Sequence, residues 1–99
     1  MDTRTSSTAP AGIVSSTTVG DHTRLGLRDG RSIELPLTPN RRSASALRAS
    51  VRRLTSVEID TERVTATVRG TGFRRPFARP VPVSMALGLL ALGVPGVAR

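Results

Sequence analysis

The chain has 99 residues, enough for one domain, and carries a net charge of +8 from 15 basic and 7 acidic residues. It has no cysteine, which excludes a disulfide framework, a thiol nucleophile, a cysteine-ligated zinc site and an iron–sulfur cluster within the chain. His22 is the only histidine, which leaves no multi-histidine metal site and little basis for a serine–histidine triad.

Every basic residue is arginine. Beside abundant Ala, Gly, Val and Thr, that usage matches the composition of a GC-rich bacterial genome. The surplus positive charge is physical all the same, and favours contact with phosphates, anionic lipids or acidic proteins.

Residues 1–21 are rich in Ser, Thr and Gly, a composition that predicts a disordered tail. Within it, Ile13 to Val19 suits a short edge strand. No apolar run follows a basic start, so no signal peptide is expected and the chain reads as cytoplasmic. A folded domain is expected over residues 22–99.

Leu25 and Leu27 alternate with Arg24, Gly26 and Arg28. Asp29-Gly30 suits a tight hairpin turn, and Ile33, Leu35 and Leu37 continue the alternation beyond it. Pro36 cannot donate to a ladder and marks an edge or an end.

Thr38-Pro39 predicts a helix start, with the helix running over 39–54. Leu47, Val51 and Leu54 form its apolar stripe. Arg41, Arg48 and Arg52 fall on one line, and Arg42 and Arg53 on a second. At about 100° per residue both lines face away from the leucines.

A second hairpin follows. Val57 and Ile59 lead to a Thr61-Glu62 turn, and Val64, Ala66 and Val68 lead away from it. Glu58 and Asp60 share a strand face, so they either pair with arginines or share a divalent cation. Nothing completes a calcium-loop pattern, and no metal or cofactor is expected. Gly70-Thr71-Gly72 lacks the lysine of a phosphate loop. Pro76, Pro80 and Pro82 predict an irregular loop over 71–83.

Ser84 predicts the cap of a last helix from Met85 to Leu92, closed by Gly93. Residues 94–99 suit a short strand or a tail. The fold class is therefore α+β in the order ββαββα, an antiparallel sheet with two helices on one face. A four-stranded β-grasp-like arrangement around the first helix is the alternative.

Two sets of residues are candidates for binding. Arg41, Arg42, Arg48, Arg52 and Arg53, with Arg74, Arg75 and Arg79, suit a nucleic acid or another anion, and Phe73 and Phe77 flank the second cluster and suit stacking on bases. The same arginines also suit a merely solvated face. Met85, Leu87, Leu89 and Leu90 suit a homodimer interface, which would enlarge a thin aliphatic core. Residues 80–98 carry no charge, yet the prolines leave too short a helix to span a bilayer.

The functional expectation is a non-catalytic interaction module that self-associates or binds an acidic protein partner. The alternatives are nucleic-acid binding through helix 39–54 and loop 73–79, and peripheral membrane contact through residues 80–98. No constellation of residues points to an enzyme.

Overall fold

In the computed structural model, which describes residues 10–51 and 53–99, the elements follow the order βββαβββαβ. The strands are β1 (Ala11–Val19), β2 (His22–Leu27), β3 (Ser32–Leu35), β4 (Arg53–Asp60), β5 (Thr65–Thr71), β6 (Pro76–Val81) and β7 (Gly96–Ala98). The helices are α1 (Arg41–Ser50) and α2 (Val83–Ala91). All seven strands join one sheet in the order β3-β2-β1-β7-β4-β5-β6. Two antiparallel meanders, β1–β3 and β4–β6, are thus joined through β7.

The α+β class holds, with differences from the expected ββαββα order. Each expected unit gains a strand, and β7 closes the sheet. Because β7 runs parallel to β4 and antiparallel to β1, the sheet is mixed rather than antiparallel throughout. Its seven strands also set aside the four-stranded β-grasp-like alternative.

The tail expected over residues 1–21 is overturned for Ala11–Val19. This segment is neither disordered nor an edge: it lies between β2 and β7. Ile13 pairs with Leu27, Val19 with His22 and Ala11 with Ala98. Its Val and Thr residues suit a pleated surface; β2 is its hairpin neighbour, and its other partner, β7, is remote in sequence. Residues 1–9 of the expected tail lie outside the described residues.

The two predicted hairpins form. Asp29 Oδ1 accepts from the Arg31 amide at 3.0 Å, and the Gly30 amide donates to the Leu27 carbonyl at 3.0 Å. Val57 pairs with Val68 and Ile59 with Ala66, so one face of β4 and β5 is apolar.

The expected loop over 71–83 contains β6, paired to β5 from Ala66↔Val81 to Thr71↔Pro76. An edge strand leaves alternate N–H groups without a ladder partner, and Pro76 and Pro80 fall on one alternation. Their missing donors are tolerated there and also blunt the edge against further strand addition.

Helix α1 is shorter than the expected 39–54. Asn40, not Thr38, caps it, its side chain accepting from the Ser43 amide at 3.1 Å. Val51 is already extended, and Leu54 reaches the covered face from β4, opposite Gly70. Helix α2 begins after Pro82 rather than at Ser84. Gly93 takes φ +97°, the left-handed conformation that ends a helix without a Cβ penalty.

Leu25, Leu35, Val57, Ile59 and Val68 of the sheet pack with Leu87 and Leu89 of α2 in one core. Ala44 and Leu47 of α1 join the same cluster. Helix α2 touches β1, β4 and β5, and α1 packs on α2. Gly88 permits that approach, since an added Cβ there would lie 2.5 Å from the Asn40 carbonyl oxygen and 2.9 Å from the Ala44 Cβ. Thr23 is the one buried polar residue of the described core, and its hydroxyl donates to the Leu37 carbonyl at 2.7 Å.

Candidate anion-binding site

The charge is not spread evenly. Neither helix contains an acidic residue, and the carboxylates of the described chain belong to the strands and their turns. On the face of the sheet away from the helices, Arg24 pairs with Glu34 at 2.8 Å. Glu58 pairs with Arg69 at 2.6 Å and with Arg99 at 3.3 Å. The Arg69 hydrogen bond holds the Glu58 carboxyl below its ordinary range, and the Arg24 hydrogen bond does the same for Glu34. At the β2–β3 turn, the backbone N–H of Arg31 lowers Asp29.

These pairs answer the question left open for Glu58 and Asp60. Glu58 is bound by two arginines, while Asp60 accepts the amides of Glu62 and Arg63, each at 3.1 Å. No group of three potential metal ligands occurs among the described residues. His22 pairs with Asp21 on the exposed β1–β2 turn.

The candidate arginines behave differently. None of Arg41, Arg42, Arg48, Arg53, Arg74, Arg75 or Arg79 pairs with an acidic side chain among the described residues. Arg48 Nη1 makes only a long contact, 3.4 Å, to the Leu92 carbonyl. Arg52 lies outside the described residues.

The fold gathers part of this set at one end. Helix α1 ends at Ser50 and the chain enters β4 at Arg53, whose register partner is Thr71 at the end of β5. The turn into β6 follows directly. It is closed by the Gly72 amide donating to the Arg75 carbonyl at 2.8 Å. Arg74 sits at φ +66°, uncommon for a residue with a side chain and a strain found more often at functional positions.

Two cavities meet at Val51. One, of about 460 Å³, is lined by Ser50, Val51, Gly72, Phe73, Phe77 and Arg79. The other, of about 320 Å³, includes Arg48, Arg53, Leu54 and Leu92 in its wall. Phe77 and Arg79 stand opposite Gly70 and Val68, hence on the covered side of the sheet. Gly70 lets Phe77 lie flat on β5, since a Cβ there would meet the Phe77 ring at 2.9 Å as well as the Arg53 carbonyl. Phe73 is 87% exposed at the tip of the turn.

Arg48, Arg53 and Arg79 are therefore brought around two adjoining cavities, and the turn carries Arg74 and Arg75 beside them. Arg41 and Arg42 are left at the other end of α1, roughly 10 Å away along its axis. Ser50, Val51 and Gly72 were missed by sequence reasoning. Their role depends on β6 lying next to the end of α1, which no local pattern reports.

The other candidate set divides. Leu87 and Leu89 are fully buried inside the chain, while Met85 and Leu90 are only partly buried against the core. Helix α2 is apolar around most of its circumference because it lies between the sheet and α1. The uncharged stretch 80–98 is likewise divided among β6, α2 and β7. No helix among the described residues is long and apolar enough to cross a membrane. No family model, curated protein or solved structure matches the chain.

Proposed function

We propose that this chain is a non-catalytic interaction module that binds an anionic macromolecular partner at its arginine-rich end. One observation carries the reading: Arg24, Arg69 and Arg99 on the open sheet face have carboxylate partners, while Arg48, Arg53, Arg74, Arg75 and Arg79 gather at one end with none among the described residues. Like charges held together repel one another, and an anionic ligand relieves that repulsion while steering its own approach. Self-association through α2 has less to draw on, because Leu87 and Leu89 are spent on the core.

The test uses two labelled probes, a short oligoglutamate peptide and a short single-stranded oligonucleotide, with fluorescence anisotropy as the readout. At least one is expected to bind at about 50 mM salt and to weaken at least tenfold by about 200 mM. The triple variant R48S/R53S/R79S is expected to lose most of that affinity. Failure of both probes to bind at low salt overturns the reading.

A further inference from the structure

The cavity beside Phe73 has features that a merely charged surface does not need. Phe73 is a large apolar ring left almost wholly in water, on a turn whose backbone is closed by its own hydrogen bond. Phe77 supplies a second ring to the same cavity, and Arg79, two residues along the same strand face, lines it with them. Its volume, about 460 Å³, is large enough to seat a small planar ligand. No carboxylate among the described residues lines it. Across Val51, Arg48 and Arg53 line the adjoining cavity.

We infer that the Phe73 cavity accepts an unstacked base of a single-stranded nucleic acid, with neighbouring phosphates on Arg79, Arg53 and Arg48. This rests on the anionic-partner reading above and names the class of partner. Two kinds of group are needed to hold a single strand: aromatic faces for the bases and cations for the backbone between them. Both are present here, within one small surface. Any base presents a π-face, so such a site tolerates sequence. Arginine beside an aromatic ring adds its own planar cation to the stack.

The competing partners fit less well. A duplex hides its base faces in the stack, so it engages the arginines and leaves Phe73 and the cavity unused. An acidic peptide pairs with the arginines but offers nothing planar to two phenylalanines. A bilayer surface requires a broad apolar face, and the exposed large apolar side chain at this cavity is one ring at a turn; Val14 and Val19 are exposed on β1 and Val64 at the β4–β5 turn. Strand addition at the adjacent edge is opposed by Pro76 and Pro80 in β6.

The test measures binding of full-length protein to labelled oligo(dT), oligo(U) and a duplex of equal length, across a salt series. Wild type is expected to prefer a single strand to the duplex, and the stronger of oligo(dT) and oligo(U) identifies DNA or RNA. F73A is expected to weaken single-strand binding about five- to hundredfold, with the salt dependence unchanged because no charge is removed. F73W is expected to restore it. R79S is expected to lower the salt slope by about one contact. Phe73 is exposed, so F73A should melt like wild type, which separates a binding defect from unfolding.

Single-strand binding unchanged in F73A, or duplex binding as tight as single-strand binding, overturns the inference. Oligoglutamate binding without oligonucleotide binding also overturns it, while leaving the anionic-partner reading in place. Loss of both kinds of binding in wild type removes both.

Discussion

The two helices each follow a three-stranded meander and are of nearly equal length, yet they are used in opposite ways. Helix α2 buries Val83, Ala86, Leu87, Gly88 and Leu89 and has no charged residue. Helix α1 buries only Ala44 and Leu47 and exposes Arg41, Arg42 and Arg48. A buried helix cannot hold unpaired charge, because desolvation would cost more than packing returns. An outer helix avoids that cost. The surplus arginines of this chain are therefore concentrated where the fold can leave them in water, and α2 provides the platform that makes this possible.

The comparison breaks most visibly at α2. Leu87→Ala removes a fully buried side chain between sheet and helix, and should cost about 2–5 kcal/mol in urea unfolding. A loss below about 1 kcal/mol would mean that α2 is not the platform. At the junction of the two helices, Asn40→Ala removes the acceptor of the Ser43 amide, and should cost about 1 kcal/mol with α1 as the segment that frays. Amide exchange confined to the first turn of α1 would check the location.

The smallest stability effect sharpens the contrast. Arg48→Ser on the outer helix should change unfolding free energy by no more than about 0.5 kcal/mol, while weakening anion binding. A large stability loss would show that Arg48 serves the fold through its contact with the Leu92 carbonyl rather than a ligand.

Much of the local structure is legible in the sequence. Alternating Leu25 and Leu27, then Ile33 and Leu35, around Asp29-Gly30 mark the first hairpin, and Val57 to Val68 mark the second. What is not legible depends on distant partners. Ala11–Val19 has strand-compatible residues, but its interior position comes from β2 and β7 together. Pro76 and Pro80 argue against a strand by every local rule, and an edge position makes them acceptable.

Leu54 continues the apolar period of α1, yet it belongs to a strand because Val51 has already turned the chain extended. The arginines of the candidate site are visible in the composition. Their division into paired and unpaired sets is not, because it depends on which face of the sheet each carboxylate occupies. The leucines of α2 are ambiguous for a related reason: an apolar stripe reads alike whether a sheet of the same chain or a second molecule covers it.

The three-residue strand β7 has a kinetic consequence. Among the described residues it is the one strand that joins the two meanders in the sheet, bonded to β1 on one side and to β4 on the other. Its pairs Ala11↔Ala98 and Ile13↔Gly96 join opposite ends of the described chain. Each meander can zip locally from its own turns, but a continuous sheet must wait for the loop closure that seats β7. The sequence separation of those contacts makes this an expensive closure in chain entropy. Until it occurs, β1 and β4 present open edges, and the nascent protein is at its most prone to pair with a neighbour.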